Sequence, residues 1–188
     1  IDEGGEITLD DRSVRARPDG TLDVTLGDHV YPGLAAIEDQ GDRGDTYDAD
    51  VLDDAASAIQ LTSVHVTRRR SAHGVWALHV TRRFTVPSGL EGDRARRCAE
   101  RADMRLEVEA ELVPGTQRVD LRVLLHNAAR DHRLRLRFPT GAHNDQFEAA
   151  STFDTMQRAT ALPSGAGWRQ PPPATFPHKG FVIANGLV

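Results

Sequence analysis

The sequence predicts an all-β fold assembled from antiparallel hairpins, and three observations predict it. Apolar and polar residues alternate over long runs with the two-residue period of half-buried strands. Clusters of Gly, Pro, Asp and Ser punctuate those runs where turns belong. Helical patterning is confined to two short charged segments, residues 50–58 and 92–101, both of which read better as connections. At 188 residues the chain is long enough to bury a sizeable core, and one β domain over residues 1–188 is the expectation.

The first strands are 13–17 and 21–26, flanking the turn Pro18-Asp19-Gly20. A longer hairpin joins 58–70 to 75–86 across Ser71-Ala72-His73-Gly74, with Trp76, Leu78, Val80, Phe84 and Val86 in phase. A four-residue loop sets Val66 opposite His79 and Arg68 opposite Ala77. In that register the repeated His-Val-Thr-Arg-Arg at 65–69 and 79–83 does not face itself, and it carries no internal repeat. Arg82 falls on the apolar phase, where an arginine is expected to pair with a carboxylate or to line a cleft.

The clearest hairpin follows. Met104, Leu106, Val108, Ala110 and Leu112 share one face, and Val119, Leu121, Val123 and Leu125 continue it beyond the turn Val113-Pro114-Gly115-Thr116. Arg105, Glu107, Glu109 and Glu111 form the opposite, wet face. Residues 132–138 alternate again through Leu134, Leu136 and Phe138. The proline-rich segment 161–177 cannot lie within a sheet, because proline lacks the ladder donor. It reads as a loop that packs Trp168 over the edge of the core or embraces another domain. The chain opens on Ile1 and closes on the apolar run 181–188, so an excised piece of a longer protein is expected.

Charge and motifs remove several function classes. Net charge is −5, and 22 of the 23 cationic residues are arginines scattered among acids, so no basic face for nucleic acid is expected. The lone Cys98 cannot form an internal disulfide, which suits the cytoplasm. No apolar run approaches the roughly 20 residues of a membrane span. The eight histidines lack zinc-ligand spacing, and His126, His132 and His143 meet only if folding brings them together. No phosphate loop, GxSxG elbow or Cys–His pair is present.

The densest chemistry lies in Glu38-Asp39-Gln40-Gly41-Asp42-Arg43-Gly44-Asp45-Thr46-Tyr47-Asp48-Ala49-Asp50. Like charges crowded around two glycines repel unless a cation, a sugar or water separates them. Ordinary solvated turn chemistry is the other reading. The acids offer hard oxygen ligands for calcium, but their spacing departs from the twelve-residue EF-hand loop, and no metal is assigned to this chain.

Three stretches together resemble glycoside hydrolase family 38, the α-mannosidases. These are the hairpin at 14–26 with Tyr31-Pro32-Gly33-Leu34 and the acidic loop; Asn127-Ala128-Ala129-Arg130-Asp131-His132-Arg133-Leu134-Arg135-Leu136-Arg137-Phe138-Pro139-Thr140; and 147–158 leading to Phe176-Pro177-His178-Lys179-Gly180-Phe181 and Asn185-Gly186-Leu187. The resemblance implies part of a large C-terminal β-sandwich of the galactose-mutarotase-like type, a partial supersandwich. It also implies an absent N-terminal barrel that holds the zinc and the aspartate nucleophile, so the isolated chain is expected to be inactive. Asp39, Asp42, Asp45 and Tyr47 then become candidates to hydrogen-bond a mannose-containing carbohydrate or to brace the barrel's active site. Asp131, His132 and Arg133 are expected to lock the turn before Leu134. The partners expected are the catalytic domain of the same protein and, through open sheet edges, a second copy. The alternatives are a free-standing carbohydrate-binding module and a structural or assembly domain.

Overall fold

The computed structural model describes residues 4–45, 47–53, 59–141, 144–169, 172 and 178–184. All regular elements among them are strands, and all named pairings are antiparallel. The chain divides into two compact units, Ile1–Pro139 and Thr140–Val188.

In the first unit, β1 (Glu6–Leu9), β2 (Arg12–Ala16), β3 (Leu22–Leu26) and β4 (His29–Leu34) form a four-stranded meander in chain order. The predicted Pro18-Asp19-Gly20 turn joins β2 to β3, with Gly20 at a φ of +76°. A bulge between Leu22 and Val24 re-aims Asp23, whose carboxylate takes Arg15 Nη2 at 2.9 Å, Arg17 Nε at 2.7 Å and the Gly33 amide at 3.1 Å. Burial acts to raise the Asp23 pKa, and the hydrogen bonds from Arg15, Gly33 and Arg17 outweigh it, leaving it below the ordinary carboxylate value. The chain then leaves the sheet through buried Ala35, at a φ of +60°, into β5 (Ala36–Gly41).

The second sheet comprises β6 (Gln60–Arg70), β7 (Trp76–Pro87), β8 (Arg101–Leu112) and β9 (Asp120–His126), again in chain order. The two four-stranded sheets face each other as a β-sandwich, with β1 and β2 over β7 and β8. Ile7, Val14, Leu22 and Val24 from one sheet and Leu78, Val80, Phe84, Leu106, Val108 and Leu112 from the other fill the core. β10 (His132–Arg137) pairs with β5 as a separate two-stranded ribbon.

Three expectations are corrected here. The β6–β7 register is shifted by one residue: Arg70 pairs Trp76, Val66 pairs Val80 and Arg68 pairs Leu78. Ser71 N–H donates to the Val75 carbonyl at 2.9 Å, and Gly74 sits at a φ of +82°, so the turn closes on three residues and the flanking pairs move together. His65-Val66-Thr67 therefore does face His79-Val80-Thr81, antiparallel about the valine pair. Arg82 is buried, and among the described residues no carboxylate is in direct contact with it; its Nη2 donates to the Ala35 carbonyl at 2.6 Å, and burial lowers its pKa to about 10 against the opposing pull of Asp19. Gly20 must lack a side chain because a Cβ there would stand 2.6 Å from the Arg82 Cδ and Cγ. Lastly, the apolar face of β9 is not covered as that of β8 is: Leu121 and Val123 are 36% and 41% exposed.

One contact between the sheets escaped the sequence pattern altogether. Arg12, buried on the inward phase of β2, donates Nη2 to the Val113 carbonyl (3.2 Å) and Nη1 to the Arg118 carbonyl (3.0 Å) and Thr116 Oγ1 (3.2 Å). It thereby holds the β8–β9 turn from the opposite sheet.

The second unit contains β11 (Gln146–Ala150), β12 (Thr155–Ala159) and β13 (Val182–Ile183), in the order β12-β11-β13. Residues 161–169 form no strand, as the proline argument requires, and Trp168 is 60% exposed. Residues 54–58 of the charged connection, His143, Phe176, Pro177 and 185–188 of the closing apolar run lie outside the described residues. Among the described residues no helix is long and apolar enough to cross a membrane.

Candidate functional site

The acidic loop leaves β5 at Gly41 and returns at Leu52, and its base is held by the backbone. Leu52 N–H donates to the Gly41 carbonyl at 2.8 Å, Arg43 N–H to the Asp50 carbonyl at 2.9 Å, and Asp42 N–H to the Asp131 carbonyl at 2.9 Å. Buried Leu52 and half-buried Leu90 lie against Gly41, where a Cβ would meet their methyls at 2.8 and 3.2 Å.

Two aspartates build the loop from inside. Asp42 Oδ1 accepts the amides of Gly44 and Asp50, both at 2.8 Å, and so ties the two limbs together. Asp45 Oδ1 accepts those of Tyr47 (2.8 Å) and Asp48 (3.0 Å), the side-chain turn that Asp favours. The amides of Asp48 and Tyr47 lower the Asp45 pKa, so its carboxylate is anionic throughout the neutral range. Arg43 Nη2 reaches Asp50 Oδ1 at 2.8 Å across the outer rim. Tyr47 stands at the tip, 92% exposed. The result is a hydrogen-bonded acidic turn that presents Asp45 and Tyr47 to solvent.

Asp39 is set apart from this loop. It belongs to β5, has no exposed surface, and lies between His132 Nδ1 at 2.5 Å and Arg97 Nη1 at 2.6 Å. His132 in turn meets Asn127 Oδ1 through Nε2 at 3.1 Å. The register makes this possible, because β10 runs antiparallel to β5 with His132 opposite Gly41 and Arg135 opposite Glu38. Asp131, at a φ of +49°, closes the turn ahead of β10 and takes Arg94 Nη1 at 3.1 Å on its carboxylate. Arg94 also donates Nη2 to the Arg43 carbonyl at 3.0 Å, bracing the acidic loop.

Of the sequence candidates, Asp42, Asp45 and Tyr47 therefore share one loop, and Asp39 lies in the packed support behind it. Arg94 and Arg97 were missed. They come from the 92–101 connection, whose run of charges gives no sign that two of its arginines point back to β5 and its loop. Among the described residues no group of three or more His, Cys, Asp or Glu side chains is placed to hold a metal ion. The acids' oxygens serve backbone amides and arginines instead.

Glycine is required within the loop itself. A Cβ on Gly44 would collide with the Asp48 carbonyl oxygen and stand 2.7 Å from the Asp50 amide nitrogen, both backbone atoms that cannot swing aside. Gly44→Ala is expected to break the Asp42-centred bonds and leave the sandwich standing. Amide exchange at Gly44 and Asp50 should quicken roughly tenfold or more, as for a local opening, with the melting temperature nearly unchanged. Unaltered exchange at both amides would refute this account of the loop.

Neither a protein-family model nor a curated protein matches the sequence. Solved structures do match. An α-mannosidase from Enterococcus faecalis V583 superposes with a TM-score of 0.75 at 16% identity, over 85% of this chain and 20% of that one. A glycosyl hydrolase family 38 protein from Enterococcus faecalis gives 0.69 at 16% identity, over 83% of this chain and 21% of that one. The likeness is one of fold. The chain spans about a fifth of the length of either structure.

Proposed function

We propose that this chain is a noncatalytic C-terminal β region of a family 38 α-mannosidase, of the galactose-mutarotase-like type, and that its acidic loop supports the active site of a barrel elsewhere on the polypeptide. The observation that carries this reading is the backbone likeness to part of an α-mannosidase over 85% of the chain. Two of the segments that resemble the family, the acidic loop and the stretch around His132, adjoin through the β5–β10 ribbon. In this reading a mannose-containing carbohydrate and the catalytic domain are the partners, and the setting is cytoplasmic. Asp45 offers a fixed anion and Tyr47 an exposed phenol to sugar hydroxyls or to barrel loops, since carboxylates form strong charge-assisted hydrogen bonds. Asp42 holds the loop in shape, and Asp39 holds the ribbon beneath it.

Asp45→Asn separates charge from geometry, because an asparagine Oδ1 can still accept the Tyr47 and Asp48 amides. In the full-length polypeptide it should lower kcat/KM on an α-mannoside roughly tenfold or more, as expected for one charge-assisted hydrogen bond, with the melting temperature unchanged. Unchanged kcat and KM would remove the loop from catalysis. The parent is tested separately, by capturing the native polypeptide from its source with an antibody against this chain. Chelator-sensitive α-mannosidase activity in a protein much longer than 188 residues supports the reading; an inactive capture of the same size overturns it.

A further inference from the structure

Between Gly41 and Leu52, both buried, no described residue of the acidic loop is buried, so packing does not set where the loop stands. Hydrogen bonds must do so. Asp42 N–H donates to the Asp131 carbonyl at 2.9 Å, and Arg94 bridges the Asp131 carboxylate (Nη1, 3.1 Å) and the Arg43 carbonyl (Nη2, 3.0 Å). Among the described residues, the Asp42 and Arg43 bonds are the ones that tie positions 42–51 to other segments.

Arg94 reaches them from a fixed support. Beyond the last β7–β8 pair, Pro87 opposite Arg101, the connection keeps pairing with itself. Ser88 N–H donates to the Glu100 carbonyl (2.8 Å), Cys98 N–H to the Gly89 carbonyl (3.0 Å) and Glu91 N–H to the Arg96 carbonyl (2.9 Å), with a Leu90–Arg97 bridge between. The result is a narrow hairpin growing out of two core strands, and Arg94 stands at its tip with a φ of +56°. Left-handed backbone is costly for an arginine, which lacks the short polar side chain that lets Asp131 tolerate a φ of +49°. Arg94 N–H on the Glu91 carbonyl (2.8 Å) and Ala95 N–H on Asp93 Oδ1 (2.9 Å) hold the tip in that shape.

We propose that Arg94 is the positioning residue of the acidic loop, fixing where Asp45 and Tyr47 stand by locking the loop and the Asp131 turn to the tip of the β7–β8 hairpin. The mechanics of the lock are independent of the mannosidase reading, and its effect on catalysis rests on that reading. Asp131 alone gives the loop a pivot, a single bond to the Asp42 amide. The second attachment, one residue on at the Arg43 carbonyl, removes the freedom to swing about it. The bonds inside the loop to Asp42 and Asp45 are untouched by Arg94. Its removal therefore changes where the loop points and leaves the loop's own shape intact.

The test compares Arg94→Met with Arg96→Met in the native polypeptide that carries this chain. Arg96 is a neighbouring arginine, 74% exposed, that lies 3.8 Å from Glu91 and takes no part in the lock. Arg94→Met should quicken exchange of the Asp42 amide roughly tenfold, while the Tyr47 and Asp48 amides stay protected. The melting temperature should hardly move, because the Arg94–Asp131 pair is 46% and 34% exposed. Arg96→Met should change none of these. On an α-mannoside, Arg94→Met should lower kcat/KM by up to roughly tenfold, and adding it to Asp45→Asn should lower kcat/KM no further, the non-additivity of residues that act through one another. Unchanged exchange at Asp42, equal quickening from Arg96→Met, or additive losses in kcat/KM would overturn the proposal. Should Asp45→Asn prove silent, the mannosidase reading of the loop falls, and exchange at Asp42 alone decides the lock.

Discussion

Asp39→Ala should be the most damaging exchange in the sandwich unit. It removes a carboxylate with no exposed surface from between the His132 imidazole and the Arg97 guanidinium, side chains that are themselves almost wholly buried, 3% and 7% exposed. Breaking a buried pair by deleting one partner typically costs about 3–5 kcal/mol, because the remaining charge is stranded away from water. For a chain of this length that corresponds to a fall in melting temperature of roughly 6–20 °C. The cost should fall partly on local structure, since Asp39 joins β5 to the start of β10 and to the 92–101 connection. Adding Arg97→Met to Asp39→Ala removes the stranded guanidinium and should recover part of the loss, the non-additivity expected of groups in contact. A loss below about 1 kcal/mol, or strict additivity of the two exchanges, would mean that packing of Leu52 and Leu90 holds this region without the ion pair.

Arg12→Met should rank second. Methionine keeps most of the aliphatic stem and removes the guanidinium, so the effect reads the polar contacts more than a cavity. Three acceptors of the β8–β9 connection, the Val113 and Arg118 carbonyls and Thr116 Oγ1, lose a charged donor at once. Hydrogen bonds to charged groups are worth about 1.5–3 kcal/mol each, and the loss of one buried donor does not multiply that fully, so a destabilisation of about 3 kcal/mol is expected. The local signature is specific: amide exchange should quicken through residues 113–119 more than along β7. A variant that melts within about 2 °C of the parent, with residues 113–119 still protected, would show that Arg12 merely occupies space.

Much of this architecture is legible in the sequence, and the reasons differ by element. β2, β3, β7 and β8 announce themselves because each buries one face, so alternation is forced on the sequence. β1 does not, since its four residues offer only Ile7 and Leu9 as apolar positions. The β6–β7 register depended on whether Gly74 closes a three- or a four-residue turn, and residue spacing alone does not decide a backbone angle. β9 reads as a core strand because its pattern is that of one; which surface meets that pattern is not written in the strand itself.

The acidic loop was visible as a loop, and its Asp-to-amide bonds follow from the Asp-x-Gly and Asp-x-Tyr spacings. Asp39 was grouped with it by adjacency, although it lies on the inward phase of β5 with Gly41, and the loop leaves the strand only beyond that phase. Arg97 was beyond reach of any local pattern: its carboxylate lies 58 positions away, and nothing near it distinguishes an arginine that turns inward from the solvated ones beside it.

The pairing of β5 with β10 has a consequence for how the chain is made. His132 and Asp39 are 93 positions apart, so at the usual 5–20 residues per second a ribosome needs roughly 5–19 s to deliver the second strand after the first. Throughout that interval β5 must wait without its ladder. Its sequence suits the wait, because Glu38, Asp39 and Gln40 keep it hydrated and repel like strands on neighbouring nascent chains. The same carboxylate that fixes the finished ribbon thereby guards the unfinished one, and a neutral residue at position 39 should cost yield during synthesis as well as stability afterwards.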